Sequence, residues 1–156
     1  MQAELGDYPV LTFVLTILGG ILIFLIGQIA LRVCVEPLQQ LRSAIADVIF
    51  VLFYYAPIYT NPAKDRPKEM NDRAEDVLRE KAGILFSRAQ AIACYRMFAT
   101  VKLIPTYNNV EEAVRDLTLI SNNIRSGDLK DNETARDRIQ QLLGISIKPT
   151  QHLDPR

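Results

Sequence analysis

The sequence predicts an all-α protein: one N-terminal transmembrane helix followed by a cytoplasmic four-helix bundle. Three observations carry that expectation. An uncharged apolar stretch of 24 residues lies near the start, at 8–31. Beyond it, apolar side chains recur at alternating spacings of three and four, the signature of helix faces. No alternating β pattern longer than ISIK, 145–148, is found. The expected division is a short external N-terminus and span at 1–35, a helical bundle at 36–144, and a loose C-terminal tail at 145–156.

The span comes first. Tyr8 to Leu31 reads YPVLTFVLTILGGILIFLIGQIAL, in which Leu, Ile, Val and Phe outweigh three glycines, two threonines and Gln28. At 1.5 Å per residue it makes about 36 Å of helix, enough for the roughly 30 Å hydrocarbon core with some tilt. A secretory leader would need a basic start and a shorter apolar core, whereas Met1 to Asp7 carries only the acids Glu4 and Asp7. The span is therefore expected to be retained. Arg32 and Arg42 follow it, so the positive-inside rule puts the N-terminus outside and the rest in the cytoplasm.

Small residues in this helix form a stripe. At 100° per residue, Thr12, Thr16, Gly19, Gly20, Gly27 and Ala30 fall within an arc of roughly 100°. Such a stripe lets helices approach closely in lipid. With one span per chain, the partner helix must come from another copy, so a homo-oligomer is expected. Gln28 lies off the stripe, at the end near the headgroups.

The next element begins at Glu36-Pro37, with proline at the first helical position. Leu38, Leu41, Ile45, Val48, Leu52 and Tyr55 repeat at three, four, three, four and three, giving one apolar face from 37 to 56. Phe50, Val51 and Phe53 cover other sides, so this end is expected to be surrounded, as the central helix of a bundle. Two alternatives stand beside that reading. The run Val48 to Ala63 could lie in the membrane face, where Tyr54, Tyr55 and Tyr59 suit an interface, or cross as a second span. Crossing is disfavoured, because Asp47 and Pro57 leave about 13 Å of apolar helix.

Asn61 to Glu69, with two prolines and five charges, reads as an exposed connector. Asn71 or Asp72 is expected to cap the third helix, with Glu75 and Asp76 in its first turn and Pro105 at its end. Leu78, Ala82, Leu85, Ala89, Ile92, Arg96 and Ala99 would form its seam, interrupted by Arg96. Asn109 with Glu112 resembles a capping box, and Val110, Ala113, Val114, Leu117, Ile120 and Ile124 form the face of a helix ending at Gly127. The last helix is expected from Asn132 to Gly144.

Chemistry is sparse. The chain has 18 basic and 18 acidic residues, two cysteines sixty apart, one histidine and no tryptophan. No charge excess advertises nucleic acid, and no phosphate loop, zinc set or cysteine–histidine pair is present in the pattern. Catalytic residues, metal and cofactor are all expected to be none. The paired acids Glu75-Asp76 and Glu111-Glu112 read as solvated first-turn residues. Glu75 to Arg79 and Glu111 to Arg115 have the favoured i,i+4 order. Arg96 and Arg125 stand as candidates for anion binding or subunit pairing, and Cys34 as a thiol just past the membrane edge.

The segments FLIGQIALR, EPLQQLRSAI and FYYAPIYTNP, within 24–62, resemble a group of small single-span bacterial membrane proteins. That likeness implies a bacterial inner (plasma) membrane. In plan, a span followed by a helical bundle is similar to the membrane accessory family of type VI-B CRISPR systems, which assembles into ring-like pores and carries a HEPN-like domain. The likeness implies a pore-forming or membrane-perturbing role in defence. The HEPN signature, an Arg followed a few positions later by His, is not met: no Arg lies within twelve residues upstream of His152. The expected function is thus a non-enzymatic membrane protein that self-associates and offers its bundle to a protein partner. A membrane-anchored HEPN-like domain sensing nucleic acid or nucleotide is the alternative.

Overall fold

The computed structural model describes residues 8–60, 67–125 and 129–145. The acidic N-terminal segment, most of the connector at 61–69, Gly127, His152 and the tail beyond Ile145 lie outside the described residues. The described chain is all-α.

Helix α1 spans Tyr8–Ala30 and helix α2 spans Glu36–Tyr54, and no loop separates them. They are joined by a π-helical stretch, Leu31–Val35, at whose end the Glu36 N–H donates to the Leu31 carbonyl five residues back. Pro37 explains the wider turn. It has no N–H to offer and its ring crowds the preceding turn, which a π-bulge can absorb without ending the helix. The break expected between span and bundle is therefore a change of helical pitch. At 1.5 Å per residue, the rod from Tyr8 to Tyr54 is about 70 Å long. Every large apolar side chain from Val10 to Leu31 is exposed.

At Tyr55 the backbone leaves helical geometry (φ −95°, ψ 6°), and Pro57 sits in the first turn of the four-residue helix α3, Ala56–Tyr59. Helix α4, Lys68–Gln90, then runs back along α2. The two helices of this hairpin run antiparallel, with the Lys81 ammonium 3.2 Å from Asp47 and Arg88 donating to Gln40 over 2.7 Å. The short helix α5, Tyr95–Thr100, turns off its end. Helix α6, Tyr107–Asn123, returns outward, and α7, Leu129–Leu142, comes back beside it. Phe86 meets Tyr107 at one end of the α4–α6 pair and Arg125 meets Asp72 at the other. The Asn109 side chain donates to the Leu142 carbonyl, fixing α7 antiparallel to α6.

Packing order corrects one expectation. Helix α4 lies between α2 and α6, and α7 packs on α6, so α4 and α6 are the inner helices. Alanines at 74, 82 and 89, all buried, let its neighbours approach α4 closely. Helix α2 is an edge helix. Its seam residues Leu41, Val48, Leu52 and Tyr55 are buried, as is Val51, but Phe50 and Phe53, expected to be covered, are exposed, and so is Tyr54.

Three starts and one seam also move. Helix α4 begins at Lys68, with Pro67 rather than Asn71 or Asp72 at its cap, because proline pre-sets the extended entry geometry (φ −54°, ψ 131°). In α6 the cap is Thr106, whose hydroxyl accepts the Asn109 N–H, three residues before the expected capping box. Helix α7 begins at Leu129, and Asn132 is buried within it rather than capping it. Finally, the seam expected to run through Arg96 ends at Ile92. Cys94 turns left-handed (φ 58°), so Arg96 and Ala99 belong to α5.

Candidate functional site

Four groups of residues could carry function: the stripe on α1, the outer tip of the bundle, the arginines, and the carboxylates between α6 and α7.

On α1, a Cβ added at Gly19, Gly20 or Gly27 would meet nothing within 4 Å, so the stripe is uncovered. Thr16 donates its hydroxyl to the Thr12 carbonyl over 2.8 Å. That hydrogen bond satisfies the hydroxyl inside its own helix, leaving its oxygen lone pairs for a neighbour. What the stripe presents is a low ridge on which another backbone can lie.

The outer tip is built where α2 hands over to α3. Phe50 and Tyr54 stack with ring centroids 5.7 Å apart, and Tyr54 meets Tyr55 edge-on at 4.9 Å. Beside them an open cleft of about 450 Å³ is walled by Tyr54, Tyr55, Pro57, Met70 and Arg73. Tyr59 anchors the tip from within: its hydroxyl donates to the Leu52 carbonyl over 2.7 Å, and its own carbonyl accepts from Asn132 over 3.0 Å. Burial pushes the Tyr59 phenol up to about 12, with Arg136 pulling the other way. On a straight rod the tip stands about 34 Å beyond Leu31. Phe50 and Phe53, expected from the sequence to be covered, are spaced three and one with Tyr54, the signal that could have marked a second apolar face.

The two singled-out arginines are not brought together. Arg125 ties α6 to α4 through Asp72 at 2.6 Å and Glu75 at 3.1 Å. An incoming anion would have to displace two carboxylates from it. Arg96 lies on α5 at the other end of the bundle, exposed, and among the described residues its side chain makes no ion pair. The expected pairs Glu75–Arg79 and Glu111–Arg115 are present at 2.8 and 3.7 Å. Glu75 is not a solvated first-turn acid, however. Because α4 starts at Lys68, Glu75 lies two turns in and holds both Arg79 and Arg125.

Between α6 and α7, Arg138 bridges Glu112 at 2.6 Å and the largely buried Asp116 at 3.5 Å. Burial raises the Asp116 pKa above the ordinary carboxylate value, and Arg138 opposes that rise. The geometry of the cluster suits holding two helices in register. Cys34 and Cys94 are free thiols. Among the described residues, no three His, Cys, Asp or Glu side chains gather to hold a metal.

No protein-family model, no curated protein and no solved structure matches the chain.

Proposed function

We propose that this chain is a non-enzymatic protein of the bacterial inner membrane that crosses the bilayer once through α1. In this reading its N-terminus is outside, copies associate along the Thr12–Ala30 stripe, and the bundle is held in the cytoplasm for a protein partner. One observation carries it: α1 is long, uncharged and exposed on all sides, yet continuous with a bundle whose core is complete without it. Exposed Leu, Ile, Val and Phe over 20 residues cannot stay in water without a partner; a bilayer supplies that environment directly. Arg32 and Arg42 support the orientation, since basic residues beside a span are retained on the cytoplasmic side. In its sharper form the oligomer perturbs the membrane, as a defence effector would.

Two measurements test this. A reporter fused to the C-terminus should signal from the cytoplasm, and a periplasmic signal would overturn the orientation. In detergent the wild-type chain should run larger than a monomer, and Gly20→Leu should shift it toward the monomer. A wild-type chain that is already monomeric sinks self-association.

A further inference from the structure

We infer that α5 and the turn after it form a second membrane contact: an end-on foot that rests on the anionic headgroups of the leaflet from which α2 emerges. This rests on the proposal that α1 crosses the bilayer, and it adds the surface on which the bundle sits.

Position comes from the unbroken rod. The hydrocarbon boundary falls near Leu31, before Arg32, the first charge after the apolar stretch. Helix α4 runs back toward that boundary, and its pairings with α2, Lys81 to Asp47 and Arg88 to Gln40, bring its last residue, Gln90, to the height of Leu38. Seven residues of helix from Leu31 to Leu38 make about 10 Å. The headgroup layer is roughly 5–8 Å deep, and a tilt of about 20° lowers one side of the bundle into it. Cys34 and Leu38 pack against the core, which keeps the bundle from standing off on a bare stalk. The Arg42 guanidinium donates to the Leu103 carbonyl over 3.0 Å. Side chains on a helix lean toward its N-terminus, here the membrane side, so this bond holds the 101–104 turn below the level of Arg42.

Composition then selects the occupant. Instead of continuing α4, the chain reverses at two left-handed residues, Cys94 and Lys102, both at φ 58°. Between them Phe98 points into the core, followed by Ile104, and the Tyr95 hydroxyl donates to the Pro105 carbonyl over 2.9 Å. The turn is thus fastened from inside, while Met97, Val101 and Leu103 remain 57, 61 and 47 % exposed. Ala91 to Thr106 carries two bases, Arg96 and Lys102, and no acid. Neither side chain has an ion-pair partner among the described residues, a state they share with Arg32, Arg42, Arg73 and Arg88. Apolar side chains interleaved with unpaired bases, a few ångströms from a bilayer, match an anionic lipid surface. The two bases are worth roughly 30-fold in the ratio of seated to unseated bundle on an anionic leaflet.

The chain contains no tryptophan, which permits single reporters in the full-length protein. Val101→Trp, Ile21→Trp and Phe50→Trp are each reconstituted in vesicles of phosphatidylcholine and phosphatidylglycerol, with lipids brominated near the headgroup or deep in the chains. Met97→Trp serves as a second foot reporter should Val101→Trp fold poorly. The Ile21→Trp reporter should be quenched by deep bromine, the foot reporters by shallow bromine, and the Phe50→Trp reporter by neither. Adding Arg96→Gln and Lys102→Gln should lower foot quenching several-fold. If the Ile21→Trp reporter is quenched but both foot reporters are not, the foot is wrong while the span stands. If the Ile21→Trp reporter escapes quenching, the span reading fails and the foot falls with it. Equal quenching of the Phe50→Trp and Val101→Trp reporters would mean the bundle lies flat and overturns the end-on geometry. Unchanged quenching after both glutamine changes overturns the role given to the two bases.

Discussion

Leu52 and Phe53 are neighbours in α2, yet one is 2 % exposed and the other 51 %. Their substitutions should separate accordingly. Replacing fully buried Leu85 of α4 or Leu52 by alanine should cost about 2–5 kcal/mol in urea unfolding of the detergent-solubilised chain, through lost burial and the cavity left. Phe53→Ser should cost less, about 1 kcal/mol or under, since half of that residue's surface is already in solvent. Tyr59 supplies a pH test. Its phenol, like that of Tyr95, is pushed up to about 12 from an ordinary value of 10, chiefly by burial. A group that holds its proton more tightly when folded contributes stability that is complete below pH 10 and lost as pH rises toward 12. Stability should therefore fall between pH 10 and 12. Tyr59→Phe should cost about 1 kcal/mol at neutral pH, by removing the bond to the Leu52 carbonyl, and should make the alkaline fall shallower.

Helix faces were readable because their periodicity is a local property. The seams Leu41–Val48–Leu52–Tyr55, Leu78–Ala82–Leu85–Ala89 and Val110–Ala113–Leu117–Ile120 are all buried where spacing places them. Helix ends were less readable. The break after Gln90 has no glycine or proline to announce it, and the seam spacing runs on through Ala99. Cys94 nevertheless turns left-handed, at a cost of roughly 1–2 kcal/mol for a residue with a Cβ. Burial of Phe98 and Ile104 offsets it. The two geometries predict opposite signs for one substitution. In an unbroken helix, Cys94→Gly would destabilise by roughly 0.3 kcal/mol. At a left-handed turn it relieves strain, so thermal unfolding should show a gain or no loss.

At the scale of the molecule, α2, α4, α6 and α7 alternate outward and back, placing the tip and the foot at opposite ends. The core draws on residues from Leu41 to Leu143 and takes nothing from α1. A chain begun at Glu36 should therefore keep its helical circular dichroism and stay in aqueous buffer, whereas the full chain should require detergent or lipid. Loss of cooperative unfolding in the shortened chain would show that α1 holds the bundle together. Of the candidate residues, the stripe was legible from rotation alone, because α1 touches little else. Arg125 was legible only as a charge; its two carboxylates lie about 50 residues away in sequence and meet it only through the α4–α6 pairing.

The amino-acid sequence by itself determined the helical class, the long uncharged helix and most of the buried faces, since each follows from the kind and spacing of residues within a few turns. Tertiary structure decided the rest. That α4 rather than α2 lies between neighbours, that Phe50, Phe53 and Tyr54 are left outside, and that the chain turns at Cys94 all depend on which faces meet across the bundle. Several arrangements satisfy the same local periodicity, and the burial energy that chooses among them belongs to pairs of residues far apart in the chain.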